Sequence, residues 1–285
     1  MRGNKIPWIR VGILCVVLFL FISASLSASA KTYKIRNAAD IRKGNFRKIV
    51  FALVSSAENS SIAYDRQYSY IEDIDDGRGY TAGIIGFTTG TGDLLEVVQA
   101  YITLKPDQNI LEKYIPALKK AIGSDTHNGL GASFVSDWQT ACKDSQMLQA
   151  QNLILDKLYL NPAVAYAKKD GLSTLGEYIY YDALVVHGIG EDTDDDPDSF
   201  NGIRLAALKK ELPPSLGGDE KHYLETFLDC RTVIMQKETA HSNLSRIETQ
   251  KEFISEGNYS LKLPLVWNMY DDSFLLTTKM LDTLT

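Results

Sequence analysis

Two acidic residues, Glu58 and Asp76, have the types and surroundings that acid–base chemistry needs. Glu58 follows Val54 by one helical turn and adjoins Ala57, so it lies at the edge of an apolar helix face. Partial burial there disfavours the ionised carboxylate, as a general acid requires. Asp76 lies in the glycine-flanked turn of DDGRGYT, where water keeps a carboxylate ionised. Two carboxylates in such contrasting environments can carry out glycoside hydrolysis.

Each of these residues also has an ordinary structural interpretation. Glu58 fits the end of a helix, and Asp76 fits a turn before Gly77. Glu72, four positions before Asp76, is the next candidate for the acid. Composition and spacing alone leave the catalytic and the structural interpretations open.

Other catalytic and cofactor motifs are missing from the sequence. The stretch at 90–92 begins like a dinucleotide-binding loop, but Leu95 stands where the third glycine belongs. The chain has no GxxxxGK, HExxH or GxSxG motif. The acidic run at 191–198 lacks the glycine and the glutamate of a calcium-binding loop, so we predict a solvated loop there.

The elements that must position the two carboxylates are mostly helices. Apolar residues recur at helical spacing over 46–58 and over 93–104. Further helices are predicted at 108–121, 134–159, 173–187, 199–210, 219–236 and 243–256. The segment 72–92 is instead rich in glycine and threonine, which predicts short strands and tight turns. We therefore predict an α+β fold, mainly α-helical, with one small sheet.

The first thirty residues have the pattern of a secretory signal peptide. A basic start is followed by an apolar run over 11–22 and by Ala-Ser-Ala, which predicts cleavage after Ala30 and one domain over 31–285. A membrane anchor is the alternative, but it needs roughly 20 apolar residues, and serines interrupt this run. We expect a secreted, extracellular protein with no membrane contact after cleavage.

The composition is that of an acidic globular chain. Of the 285 residues, 45% are hydrophobic, and the net charge is −6. A chain without a basic excess is poorly suited to bind phosphate, so we expect no nucleic-acid partner. Because the predicted leader carries only basic charges, the remaining chain is still more acidic and suits a cationic partner.

The cysteine residues do not decide between a disulfide and two free thiols. Cys142 and Cys230 remain after the predicted cleavage. An exported pair can oxidise, whereas isolated cysteines are often small buried side chains. The sequence leaves both interpretations open.

Longer stretches of the chain carry more specific patterns. They are SSAENSS (55–61), QYSYIEDIDDGRGYTAGIIGFTTGTGDLLEVV (67–98), YYDALVVHG (180–188), DDPDSF (195–200), FLDCR (227–231) and AHSNLSRIET (240–249). Together they resemble the chitosanases of glycoside hydrolase family 46, in particular the actinomycete-type branch, over nearly the whole chain after Ala30.

This resemblance implies a fold and an activity. The fold would be two-lobed and lysozyme-like, with a small β-sheet and a substrate cleft between the lobes. The activity would be endo-hydrolysis of β-1,4-linked glucosamine polymers by an inverting mechanism, with no metal and no organic cofactor. The expected partner is chitosan or partially acetylated chitosan oligosaccharides, and we expect a monomer.

The resemblance also implies roles for individual residues. Glu58 corresponds to the general acid, Asp76 to the general base, and Thr81 to the threonine that helps to hold the attacking water. The positions that correspond to substrate-binding residues of the cleft are Tyr70, Arg78, Asp93, His187 and Glu238.

Asp93 and Arg78 also have structural interpretations, and Tyr64 differs from the family pattern. Asp93 follows Gly92 and would equally suit the cap of the next helix. Arg78 is expected to orient Asp76 and Glu72 rather than to contact a cationic sugar. Tyr64 departs from the family pattern, which has tryptophan there, and this affects packing rather than chemistry.

A second group of residues is predicted to build the cleft. The segment YIYYDALVVHG is apolar on nearly every side, so Asp182 should be buried and should need a cationic partner. In the family this aspartate lies between two arginines, which correspond to Arg231 and Arg246. We therefore expect these three residues to form a structural ion network.

The sequence is also compatible with two other functions. A muramidase or a chitinase would share the fold and the acid pair. A non-catalytic polysaccharide-binding protein would share the cleft alone. The joint presence of Glu58, Asp76 and Thr81 argues against the second, since binding requires no acid–base pair.

Overall fold

Helices make up most of the chain that the structure describes. The structure is a computed structural model that describes residues 38–191, 193, 195–237 and 243–284. Its helices are α1 (Gly44–Asn59), α2 (Asp93–Leu104), α3 (Ile115–Ala121), α4 (Ala132–Ala141), α5 (Ser145–Leu155), α6 (Asn161–Asp170), α7 (Thr174–His187), α8 (Phe200–Leu208), α9 (Glu220–Met235), α10 (Ser245–Ser255) and α11 (Thr278–Leu281). The predicted leader and Glu238 lie outside the described residues.

Two small antiparallel sheets accompany these helices. The first has the strand order β1-β2-β3, and the second is a single hairpin of β4 and β5. The strands are β1 (Ile71–Asp73), β2 (Tyr80–Ala82), β3 (Phe87–Thr88), β4 (Leu265–Met269) and β5 (Asp272–Leu276). The prediction of a mainly helical α+β fold is confirmed, but the prediction of a single sheet is wrong.

The alternation of buried and exposed residues along β4 explains why this segment forms a strand of the hairpin with β5. Leu265, Trp267 and Met269 are buried, while Val266 between them is exposed. This alternation has the period of a strand with one face on the core. Trp267 then stacks on Phe274 of β5, with ring centroids 5.5 Å apart.

The helix predicted over 134–159 is interrupted. The carboxylate of Asp144 accepts a hydrogen bond from the backbone N–H of Gln146 at 3.1 Å. Because this cap satisfies a free N–H at the start of α5, it separates α5 from α4. Beyond α5 the chain continues through a π turn, Asp156–Leu160, directly into α6, a helix that the sequence analysis did not include.

The helix predicted over 108–121 begins later than expected. Gln108 has a left-handed backbone with φ of +55°, which an α-helix does not accommodate. A short 3₁₀ turn at Glu112–Tyr114 precedes α3, and Pro116 stands in the first turn of α3, where its missing N–H costs little.

The elements form two groups joined by a helical connection. In the first, α2 packs against α3 and α5, and α4 packs on β1. In the second, α6 packs against α7, α8 against α9, and α10 against both α9 and β4. The connection is the run from α5 through the π turn into α6. Within the described ranges, no helix is both long enough and apolar enough to cross a membrane.

Candidate active site

Glu58 lies in the last turn of α1, at the edge of the core. Leu53 and Val54 of the same helix are buried, whereas the Glu58 side chain is 32% exposed. Its Oε1 atom directly contacts Nη2 of Arg246 from α10. Counted with its backbone, Glu58 is an exposed residue, so it is less buried than the sequence predicts, and the neighbouring cation was not predicted.

Asp76 lies in the loop between β1 and β2 and is held by Arg78. The Nε and Nη2 atoms of Arg78 donate to Oδ2 of Asp76 at 2.8 and 2.5 Å. The backbone N–H of Arg78 donates to Oδ1 at 3.0 Å. Partial burial alone would raise the pKa of Asp76, but these hydrogen bonds outweigh it, and the net pKa is lowered. Asp76 is therefore ionised at neutral pH, as a general base must be.

Thr81 lies in the middle of β2, opposite Glu72 of β1. Its side chain is buried, and its hydroxyl has no hydrogen-bond partner in the described part of the chain. A buried hydroxyl without a partner is costly, so such a group points to a ligand or an ordered water.

Thr89 fixes the loop that carries Asp76. Its hydroxyl accepts a hydrogen bond from the backbone N–H of Tyr80 at 3.1 Å and donates to the carbonyl of Arg78 at 3.2 Å. Gly79 lies between those two residues with φ of +71°, and a Cβ added there would stand 2.4 Å from the Thr89 hydroxyl. The loop DGRGYT therefore needs a glycine at this position.

Gln151 of α5 fixes both ends of the same β-hairpin. Its amide nitrogen donates to the carbonyl of Tyr68 at 2.9 Å, just before β1. Its amide oxygen accepts from the backbone N–H of Ile84 at 3.1 Å, just after β2. Because Gln151 is fully buried, these bonds are shielded from water and hold the sheet on α5.

Asp182 of α7 is fully buried and lies between two arginines. Its Oδ2 accepts from Nη1 of Arg231 at 2.6 Å and from the side-chain amide of Gln250 at 2.8 Å. Its Oδ1 lies 3.3 Å from Nε of Arg246, an ion contact without hydrogen-bond geometry. Burial would raise the pKa of Asp182, but the charges of Arg246 and Arg231 outweigh it, and the net pKa is lowered.

The ion network extends beyond the three predicted residues. Arg246 also contacts Glu58, and the Nε atom of Arg231 donates to Nε2 of His187 at 3.1 Å. The structure thus brings together Glu58, Arg246, Asp182, Arg231 and His187 in one chain of contacts. No pattern in the sequence indicates the Glu58–Arg246 contact, since the two residues lie on separate helices.

Asp93 begins α2 and is heavily hydrogen-bonded. Its Oδ1 accepts from the backbone N–H of Thr88 and from the hydroxyl of Thr91, both at 2.7 Å, and its Oδ2 accepts from the hydroxyl of Tyr159 at 3.0 Å. Burial raises the pKa of Asp93, although these hydrogen bonds oppose it. Asp93 therefore holds the turn before α2. It is not the cap that its structural interpretation predicted, because Gly92 is the capping residue of α2 and Asp93 already lies within the helix.

Asp93 also faces a cavity. The cavity has a volume of about 450 Å³, and its lining includes Asp93, Tyr159, Ile122 and Ile189. A carboxylate among apolar and aromatic side chains is compatible with a sugar-binding position. Tyr159 was not among the predicted site residues.

Tyr70 and Tyr64 make ordinary hydrogen-bonding and packing contacts. The hydroxyl of Tyr70 donates to Oε2 of Glu72 at 3.2 Å, so Glu72 is contacted by tyrosine as well as lying opposite Thr81. Tyr64 is buried and packs edge-on against Phe51, with ring centroids 5.4 Å apart.

The two cysteines are free thiols in this structure. Cys142 is half-buried and donates from Sγ to the carbonyl of Tyr68 at 3.0 Å, and burial raises its pKa to about 12. In the described ranges no three His, Cys, Asp or Glu side chains come together as a metal site would require.

A second buried ion pair was not predicted from the sequence. Nε and Nη2 of Arg204 donate to Asp170 at 2.7 and 2.5 Å, and the hydroxyl of Tyr180 donates to the same carboxylate at 2.7 Å. Arg204 stands between Ile203 and Leu205 in an apolar helix, a pattern that signals a buried and paired charge. This pair ties α6 to α7 and α8.

Comparison of the sequence with known protein families identifies the family of the chain. The sequence model of Glycosyl hydrolase family 46 matches residues 52–265, which include both carboxylates and the whole ion network. The chain belongs to glycosyl hydrolase family 46.

Named relatives agree with the family assignment. A chitosanase of Streptomyces sp. (strain N174) is 48% identical over 270 residues, covering 92% of this chain and 95% of the relative. A chitosanase of Nocardioides sp. (strain N106) is 52% identical over 233 residues, covering 81% and 82%. The resemblance to the actinomycete-type branch is thereby confirmed.

Solved structures of the family give the fold. The co-crystal structure of chitosanase OU01 with substrate superposes with a TM-score of 0.80 at 49% identity, covering 85% of this chain and 100% of that one. This chain therefore has the two-lobed, lysozyme-like fold of family 46 and is a glycoside hydrolase.

Proposed function

We propose that this chain is a secreted endo-chitosanase that cleaves β-1,4 linkages between glucosamine residues with inversion at the anomeric carbon. The observation that carries the proposal is the family 46 match, which spans the core of the chain, together with relatives that are chitosanases. The net charge of −6 supports the substrate. Chitosan is a polycation near and below neutral pH, and an acidic cleft attracts it.

Glu58 acts as the general acid. It protonates the glycosidic oxygen as the bond to the leaving sugar breaks, and a carboxylate remains on Glu58. Arg246 contacts that carboxylate and is its counterion, so the charge that develops during proton transfer is stabilised where it forms.

Asp76 acts as the general base. Its three hydrogen bonds from Arg78 keep it ionised and fix its orientation, so that it removes a proton from the attacking water. The buried hydroxyl of Thr81, which has no partner among the described residues, helps to hold this water. Inversion requires the two carboxyl groups to stand about 6.5–9.5 Å apart so that water fits between base and sugar.

Five further residues bind the polymer along the cleft. Asp93 contacts the ammonium group of a glucosamine, and the cavity beside it accommodates the ring. The others are Tyr70, Arg78, His187 and Glu238. Arg78 acts mainly through Asp76, since its guanidinium already donates to that carboxylate.

We also propose that the chain is exported, with cleavage after Ala30, and acts as a monomer. One chain supplies both the acid and the base, so the chemistry needs no second copy. No metal or organic cofactor takes part in the proposed reaction.

The activity is tested by measuring new reducing ends on soluble chitosan. The wild-type protein should generate them, and Glu58→Gln should lose about two to four orders of magnitude in turnover, the range of acid–base catalysis. Glu72→Gln is the matched control and should keep most of the activity. A Glu58→Gln variant that retains more than about a tenth of turnover would assign the acid elsewhere, with Glu72 next.

The same assay separates the alternative functions. Cleavage of peptidoglycan or chitin without cleavage of acetyl-free chitosan would favour a muramidase or a chitinase. Binding of chitosan without cleavage by the wild type would favour a binding protein.

The mechanism is tested by proton NMR of a fresh digest. Inversion at a β linkage yields reducing ends that are initially α, and mutarotation forms β later. Initial β product would overturn the inverting mechanism.

A further inference from the structure

The turn of the C-terminal hairpin contacts the helix end that presents Glu58. The hydroxyl of Tyr270 donates to the carbonyl of Ala57 at 2.8 Å. The indole N–H of Trp267 donates to the hydroxyl of Ser56 at 2.9 Å. The hairpin of β4 and β5 thus holds the two residues that directly precede Glu58.

The carbonyl of Ala57 has a specific need for this contact. The last carbonyls of an α-helix have no partner within the helix. α1 ends at Asn59, and Ser60 beyond it has a left-handed backbone with φ of +47°. The Tyr270 hydroxyl therefore satisfies a free carbonyl in the turn that carries Glu58.

Tyr270 has an unusual backbone conformation. It is the first of the two residues between Met269 and Asp272, and its φ is +54°. When only the first residue of a two-residue turn has positive φ, glycine is strongly preferred there, and a bulky residue is a genuine outlier. An outlier of this kind persists only where the surrounding contacts hold it, and it commonly marks a functional position.

Two contacts hold Tyr270 in this conformation. Its backbone N–H donates to the hydroxyl of Ser245 at 2.9 Å, next to Arg246 in sequence. Its side-chain hydroxyl is the donor to Ala57. Burial raises the pKa of Tyr270, while the charge of Arg246 lowers it and that of Glu58 raises it further, so its hydroxyl lies within the field of both.

We propose that Tyr270 is a positioning residue for Glu58, acting through its hydrogen bond to the carbonyl of Ala57. The bond fixes the last turn of α1 and with it the direction in which the Glu58 carboxyl approaches the glycosidic oxygen. This inference rests on the proposed function, in which Glu58 is the general acid. Tyr270 itself needs no contact with substrate.

The test compares Tyr270→Phe with Tyr114→Phe. Tyr114 is a matched control because its hydroxyl also donates one hydrogen bond, to Asp137 at 2.7 Å, and it lies in neither the proposed site nor the ion network. Each variant loses one hydrogen bond and should show a similarly small fall in melting temperature. Only Tyr270→Phe should lose turnover, by about tenfold in kcat with KM within about twofold, because the acid is misplaced rather than the substrate released.

A second measurement separates positioning from a general structural effect. In a Glu58→Gln background the acid is already lost, so adding Tyr270→Phe should change kcat by less than about twofold. A Tyr270→Phe variant with wild-type kcat would overturn the inference, and so would an undiminished loss in the Glu58→Gln background. Failure of the unmodified chain to cleave chitosan would instead overturn the proposed function and this inference together.

Discussion

The guanidinium of Arg246 contacts the carboxylate of Glu58 across 188 positions of sequence. The same guanidinium faces Asp182, which is also bonded to Arg231. The proposed general acid is therefore one of two carboxylates that meet two arginines in a single network. Because Asp182 and the two arginines are buried and their charges compensate each other, removal of Asp182 leaves buried positive charge without its shared partner.

Asp182→Ala should therefore destabilise the protein strongly. It leaves two buried arginines without their shared carboxylate, which costs about 3–5 kcal/mol of unfolding free energy. The control is Asp229→Ala, which breaks an exposed ion pair with Lys251 and should cost about 0–1 kcal/mol. Thermal melting measures both, and an Asp182→Ala midpoint equal to wild type would contradict the network.

Arg78→Ala should move the acid limb of the pH–activity profile. Arg78 lowers the pKa of Asp76, so its removal raises that pKa. A base works only when it is ionised, and activity is therefore lost at a higher pH in the variant than in wild type. The two profiles should be compared by the pH at which the acid limb falls, because the maximal activity also depends on substrate binding.

Arg42→Ala is the matched control for this shift. Arg42 holds Asp40 through the same Asp-x-Arg arrangement, donating at 2.8 and 2.9 Å. That pair lies outside the proposed site, so its loss should leave the acid limb in place. An unmoved limb in Arg78→Ala would mean that Asp76 does not titrate as the base.

Gly79→Ala should impair activity more than Gly77→Ala. Both glycines have left-handed φ, +71° and +79°, so both substitutions strain the backbone. A Cβ at Gly79 also collides with the Thr89 hydroxyl at 2.4 Å, whereas a Cβ at Gly77 has nothing within 4 Å. Only Gly79→Ala must shift the loop that carries Asp76, and kcat should fall by at least about tenfold relative to Gly77→Ala. Equal kcat in the two variants would contradict a role for the Thr89 contact.

Glu177→Gln should stabilise the protein at alkaline pH. Glu177 is fully buried, and burial raises its pKa to about 7 from the model-peptide value of 4.5. The folded state therefore holds this proton more tightly than the unfolded state, and stability falls as the pH rises between those values. The lost stability is about 3 kcal/mol above pH 7, and glutamine does not incur it.

Melting curves at pH 4.5 and pH 8 test this expectation. Glu177→Gln should match wild type at the lower pH and exceed it at the higher one. Glu225→Gln changes a side chain that is 39% exposed, and this control should show no such difference. A variant less stable than wild type at pH 8 would contradict the assigned cause.

The sequence predicted the local elements well because their signals are local. The apolar spacing over 46–58 corresponds to α1, and the glycine-rich segment over 72–92 contains β2, β3 and all but the first residue of β1. The burial of Asp182 also followed from its neighbours, since YIYYDALVVHG leaves no polar face on α7.

Contacts between distant residues were harder to predict. Arg246 was expected beside Asp182, but its contact with Glu58 depends on how α10 crosses the end of α1, which no local pattern encodes. The contact of Tyr270 with Ala57 is non-local in the same way. Gln151 fixes the sheet of β1, β2 and β3 from a helix that was predicted from the sequence as part of one longer helix.

The π turn at Asp156–Leu160 has a consequence for how this chain tolerates insertions and deletions. A π turn contains one residue more than the α-helical turn it replaces, and each helical residue turns the chain by about 100°. Deletion of one residue there would restore a regular helix, and because the π turn already absorbs its extra residue, α6 would keep about the same rotation relative to α5. The deletion would instead disturb the contacts of the turn itself, in which Tyr159 donates to Asp93 and Asp156 contacts Arg47 at 2.7 Å. This joint therefore tolerates the loss of one residue in the orientation of its helices but not in the contacts of its own side chains.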